Sequence, residues 1–328
     1  MRITILAGGV GGARFTSAVR EHLRDLKAAG GGASEITVVV NTGDDMRLAG
    51  LKVCPDLDSI TYALGGVNDT ERGWGRAGES ERVSAELAAF GVGWPWFTLG
   101  DLDLGTHIAR TSMLRDGLTL SEATERITAR WPLGVRLLPM SDDDVETHVE
   151  VDLPGEGVRL IHFEEWWVRL RASVPARRFV QNGVESARPA PGVLEAIADT
   201  DVVLVAPSNP VVSIGTILGV PGVADAVRST RAPVVGVSPI IGGAVVRGMA
   251  DHCLPVIGVE TSAEAVGRHY GARSQGGLLD AWLVGEEDAA AVEALAASGL
   301  RVHSVPLWLR DRGTSARLAA DALAAARD

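Results

Sequence analysis

Near-continuous apolar runs alternate along this chain with stretches of helical spacing. Ile3-Thr4-Ile5-Leu6, Ile36 to Val40, Val202 to Val205, Val234 to Val237, Leu278 to Val284 and Val302 to Leu307 predict strands covered on both faces. Between the first two, Phe15, Val19, Leu23 and Leu26 recur at helical spacing before the turn Gly30-Gly31-Gly32, which makes strand, helix, strand a βαβ unit. Helices are predicted again near 289–297 and 316–327. The middle differs. Val145 to Val151 alternates with period two, Leu153-Pro154-Gly155-Glu156-Gly157 is a turn, and Val158 to Phe163 follows, which predicts an antiparallel hairpin.

Together these elements predict one Rossmann-like α/β domain across residues 1–328, a parallel sheet with helices on both faces plus that hairpin. Two stretches lack the grammar of the sheet and are read as inserted cap segments, about 65–95 and 164–191, the second rich in Arg and Trp. Composition fits this picture: 328 residues, 46% hydrophobic and 22% charged, are enough for a sizeable core. A net charge of −11 argues against nucleic acid and against an anionic membrane surface as partners. An acidic chain that binds a phosphate ester must neutralise it locally, with arginines or a divalent cation, so magnesium is expected. Cys54 and Cys253 have no spacing that supports a disulfide framework or a zinc site. No run approaches ~18 apolar residues, and the chain opens on a strand without a basic leader, so a cytoplasmic location is expected.

Candidate chemistry starts at the first strand's end, where Gly8-Gly9-Val10-Gly11-Gly12 runs straight into a helix. Glycines turn sharply and leave no Cβ between amide and ligand, while a helix start supplies free N–H groups and a positive dipole end. This predicts a phosphate seat over Gly9, Val10, Gly11 and Gly12 with Arg14 behind it. It is neither of two familiar seats. The dinucleotide fingerprint needs glycine where Arg14 stands and an acid where Asn41 stands, and the P-loop needs a lysine that is absent.

Acids cluster where strands end: Asp44-Asp45, then Asp56 and Asp58 within Pro55-Asp56-Leu57-Asp58. Pairs of carboxylates beside a phosphate seat repel the ligand unless a hard cation sits between them, so Asp45 with one or both of Asp56 and Asp58 is read as contacting metal or a substrate hydroxyl. Gly100 to His107 is a third group, with His107 able to meet phosphate or to pack, and Ser141-Asp142-Asp143-Asp144 is a fourth. Ser208, Asn209 and Ser213 place small hydrogen-bonding side chains after another strand, suited to a nucleobase edge or a phosphate oxygen.

In this order along residues 1 to about 260, these segments resemble the phospho-lactate transferase family of deazaflavin cofactor biosynthesis, the CofD or FbiA type. The resemblance implies a magnesium-dependent transferase. Its members move a phosphoenolpyruvyl or 2-phospholactyl group from a guanosine-diphosphate-activated donor onto the ribityl hydroxyl of the deazariboflavin FO, releasing GMP, on the way to coenzyme F-420. It would place the diphosphate on Gly9 to Gly12, and metal and the FO hydroxyl on Asp45 and Asp58. Asp56, Thr106 and His107 would lie by the acceptor, and Ser208, Asn209 and Ser213 by the guanosine side with Ser141 and Asp142 nearby. Trp74, Trp94 and Trp96 are candidates for a wall against the flat ring. Which acids serve metal and which the hydroxyl stays open, as does the donor's acid, although Ala- and Arg-rich usage favours enolpyruvate. A homodimer is the default assembly. The competing expectation is a non-catalytic, nucleotide-sugar-binding regulator of the gluconeogenesis-factor type, similar around the glycine loop; a nicotinamide dehydrogenase is disfavoured by the broken fingerprint.

Overall fold

Seven parallel strands make the central sheet of the computed structural model, which describes residues 1–327. They are β1 (Arg2–Ala7), β2 (Glu35–Val40), β3 (Arg136–Pro139), β4 (Val202–Val205), β5 (Val234–Val237), β6 (Ala281–Val284) and β7 (Arg301–Ser304). Their spatial order is β7-β6-β5-β4-β1-β2-β3, with Ile5 of β1 beside Val38 of β2 and Leu204 of β4. The order reverses between β1 and β4. In an open parallel sheet the crevice beyond the carboxyl ends of such a strand pair is where ligands settle.

Alternation along β1 divides the core in two. Ile3, Ile5 and Ala7 pack with Phe15 and Val19 of helix α1 (Gly9–Ala28), Leu57 and Ile60 of α2 (Pro55–Gly65), and Leu318 and Ala322 near the C-terminus. Leu6 faces the opposite layer, with Ile197, Val223, Val266 and Trp282. Thr4 also falls on that face, and its hydroxyl donates to the Ala196 carbonyl at 2.6 Å, so the polar atom is not left bare in the interior. Helix α2 starts with proline in its first turn and stops at Gly66, whose φ of 67° is the left-handed cap glycine adopts freely.

The hairpin forms as Glu146–Leu153 and Gly157–His162. The stretch 164–191, expected to leave the parallel sheet as a cap segment, lies off that sheet and adds a third antiparallel strand, Ala176–Asn182, on the hairpin's other edge. Two adjacent arginines obscure the alternation there. A register shift between Glu150 and Val151 lets both Arg177 and Arg178 reach Glu150, at 3.5 and 2.8 Å. The stretch 65–95 carries one helix, Arg82–Ala89. The acid group from Gly100 is the start of helix α3 (Asp101–Arg115), which puts Asp103, His107 and Arg110 on one face.

Candidate functional site

Gly8 leaves β1 extended, and Gly9 turns at φ +60° into α1. Ser208, just past β4, accepts from the Gly8 amide at 3.0 Å and donates to the Gly8 carbonyl at 2.7 Å, which ties the two strand tips together. The fit demands glycine: a Cβ on Gly8 would lie 2.6 Å from Asp56 Oδ2, and one on Gly11 2.7 Å from the Pro207 carbonyl. Gly9, Val10 and Gly11 therefore open α1 with amides that have no partner within the helix, and they line a cavity of about 480 Å³.

Asp44, Asp56 and Glu164, all buried, line the same cavity, Asp56 directly against the loop. Asp56 accepts from Asn41 Nδ2 at 2.9 Å and from the Gly9 amide. Burial nevertheless pushes its carboxyl up to about 6, with Asp45 adding to the shift. Burial first, and then the charges of Asp56, Glu164 and Asp45, hold Asp44 well above the usual carboxylate range, and its Oδ1 has no hydrogen-bond partner. Glu164 is pushed up to about 8 by burial and by Asp56. None of the three has a basic partner among the described residues. Asp44 and Asp56, without a basic partner beside the glycine loop, offer oxygen donors of the kind a hard cation on a phosphate takes. The residues present fit magnesium.

A second set of acids is already compensated. Lys52 Nζ lies 3.3 Å from Asp45 Oδ2 and 2.8 Å from Asp144, and the Cys54 thiol donates to Asp45 at 3.0 Å. Burial still raises Asp45 to about 6 against Lys52. Asp58 is gripped by both terminal nitrogens of Arg110, with His107 Nδ1 at 3.5 Å. His107 Nε2 stands 3.3 Å from Asp103, which accepts from the Tyr62 hydroxyl at 2.7 Å. Asp58, Asp103 and His107 cluster closely enough to share an ion. Arg110 and Tyr62 occupy those carboxylates instead, so this group is a buried hydrogen-bonded brace rather than the better cation seat.

Similarity now bears on the same residues. The sequence pattern of the family described as 2-phospho-L-lactate transferase CofD matches residues 3–313. The chain belongs to the CofD family. Proteins named phosphoenolpyruvate transferase are similar along its whole length: one from Streptomyces griseus is 57% identical over 328 residues, covering 100% of this chain and 99% of that protein. Another, from Thermobifida fusca, is 56% identical over 323 residues, covering 98% and 97%. A solved UPF0052 family protein from Bacillus halodurans covers 98% of both chains with a TM-score of 0.59 at 16% identity, a likeness of fold. The chain is thus a phosphoenolpyruvate/phospholactate transferase of the CofD family, and among the described residues no single helix is long and apolar enough to cross a membrane.

Within this transferase the expected site residues separate. Gly9, Val10, Gly11, Asp56, Asp58, His107, Ser208, Asn209 and Ser213 line the cavity together. Ser208 is spent on Gly8, and Asn209 on capping the turn from Pro210 by accepting from the Val211 and Val212 amides, so both are architectural as they stand. Gly12 packs behind the loop against Ala7 and Ser208. Arg14 is exposed on α1 and lines an adjoining cavity of about 760 Å³. Asp45 turns away from the cavity toward Lys52, and its neighbour Asp44 takes the expected position. Thr106 faces Tyr62. Ser141 and Asp142 do not line the cavity: Ser141 donates to the Arg188 carbonyl and Asp142 accepts from Ser121. They follow β3, the edge strand, so their loop falls outside the β1–β4 crevice. Trp74 and Trp96 line it, while Trp94 stacks behind Trp96 at 4.8 Å.

Glu164 and Arg110 were not anticipated, and Asp44 was marked only as Asp45's partner in an acid pair. Arg110 had a readable signal, since it follows His107 by three positions and Asp103 by seven on one helix. Glu164 had none, because only the hairpin's packing carries it into the crevice.

Proposed function

We propose that the chain transfers a phosphoenolpyruvyl group from an enolpyruvyl-diphospho-guanosine donor to the ribityl hydroxyl of FO, releasing GMP, in coenzyme F-420 biosynthesis, with magnesium. One observation carries this reading: the α1 amides of Val10 and Gly11, without helical partners, and the carboxylates of Asp44 and Asp56, without a basic partner, converge on one cavity at the sheet's reversal point. The shared name of the 57% identical Streptomyces griseus relative supports enolpyruvate over lactate.

In this reading the α1 amides bind the diphosphate, and Asp44 and Asp56 would hold magnesium, which neutralises phosphate charge when bound. The acceptor hydroxyl oxygen attacks the phosphorus that carries the enolpyruvyl ester. The bond from that phosphorus to the bridging oxygen breaks, and GMP leaves with the electron pair. Asp58, fixed in place by Arg110, orients the hydroxyl and receives its proton. Such transfers need positioning and charge compensation more than a strong base. Trp96 and Trp74 offer aromatic surface to the flat acceptor ring.

The test incubates the protein with FO, magnesium and either guanylated donor and follows GMP and the new phosphodiester by mass. Product from the enolpyruvyl donor is expected. Tight nucleotide binding with no product from either donor would replace this reading with the regulator.

A further inference from the structure

The transferred group carries a carboxylate as well as its phosphate, yet Asp44, Asp56, Asp58, Asp103 and Glu164 line the cavity that must receive it. In the proposed reading amides and a cation would answer the diphosphate at the glycine loop, but neither would answer a carboxylate at the far end of the donor. Among the described residues lining this cavity, one Lys or Arg side chain is present, that of Arg247. It stands at the partition with the neighbouring cavity of about 760 Å³ and lines both.

Arg247 has no carboxylate partner within 4.0 Å among the described residues; its guanidinium makes a single long contact, 3.5 Å, to the Gly73 carbonyl of the facing loop. The backbone makes room for it. Gly73 has φ +80°, and a Cβ there would overlap the guanidinium. Gly248, the next residue, has φ +91°, which lets the chain turn directly after delivering the side chain. A free guanidinium at the mouth of an acid-lined cleft offers the planar fork that pairs bidentately with a carboxylate.

We infer that Arg247 is the residue that recognises the carboxylate of the transferred phospho-acid, selecting carboxylated donors against nucleotides that lack one. This deepens the proposed function and rests on its placement of the donor in this cleft.

The test compares wild type, Arg247→Gln and Arg247→Lys in steady-state turnover with the enolpyruvyl donor, alongside calorimetric binding of that donor and of GDP, which has the diphosphate but no carboxylate. Arg247→Gln should raise the donor KM about tenfold to a hundredfold while GDP affinity moves less than about twofold. Arg247→Lys should recover part of the loss, keeping the charge without the fork. Melting curves matching wild type confirm that the exposed substitution leaves the fold intact, and the lysine variant serves if glutamine does not fold. An unchanged donor KM, or equal weakening of donor and GDP, overturns the inference while leaving the transferase reading in place. A wild type that binds GDP but not the donor removes both.

Discussion

Two sets of aspartates, interleaved in sequence, live in opposite electrostatic surroundings. Asp45 and Asp58 are buried against Lys52 and Arg110, and their charges close on themselves. Asp44 and Asp56, one and two positions away, are equally buried and have no cation, so they repel each other and Glu164 across the face of the glycine loop. The first set ties Asp45 to Lys52 and α2 to α3. The second is electrostatically frustrated until something positive arrives. A fold that compensates some buried acids and leaves their neighbours uncompensated keeps the deficit where a ligand removes it.

The widest separation between the sets should come from Asp44→Asn and Asp56→Asn. Each is expected to lower turnover about a hundredfold to a thousandfold through lost charge compensation, while thermal stability holds or rises because repulsion is relieved. Full activity in both variants would erase the distinction. Arg110→Met should act on stability first, with turnover falling as well because Asp58 loses its anchor. Stripping Asp58 of its partner is expected to cost about 3–5 kcal/mol in urea unfolding, and an unaffected midpoint would show that the brace carries no stability. Gly11→Ala, whose new methyl meets the Pro207 carbonyl, should cost about 1–3 kcal/mol and abolish detectable GDP binding by calorimetry. Retained binding would separate the loop from the phosphate.

The smallest effect is one of pH, and it sharpens the comparison because it isolates the frustrated set. Glu164 binds its proton more tightly folded, up to about 8, than the ordinary 4.5 of an unfolded glutamate. Its contribution to stability is full below 4.5, shrinks as pH rises through that value, and is gone above 8. Asp56, raised to about 6, acts with the same sign at lower pH. Melting temperature in magnesium-free buffer should therefore fall from pH 5 to 8, and Glu164→Gln should flatten the upper part of that slope. An identical slope in the variant would place the titration elsewhere.

How much of this was legible before the structure follows from the range of the interactions involved. Strands such as Val202–Val205 and Val234–Val237 lie where continuous apolar runs place them, because burial on both faces of a parallel sheet is a local property of the sequence. The glycine loop was legible for the same reason, since a tight turn into a helix is written in adjacent residues. The strand Ala176–Asn182 was not, because its pairing depends on a bulge in a partner strand.

The chain by itself determined the alternation of strand and helix, the position of the glycine loop and the supply of acids at strand ends. Tertiary structure alone decided which member of each acid pair meets a cation, that Asn209 is spent as a cap, that the loop after β3 stands clear of the crevice, and that Glu164 and Arg247 enter it. Electrostatic compensation joins residues tens of positions apart, as Lys52 and Asp144 do, and a Coulomb interaction depends on distance in space rather than along the chain.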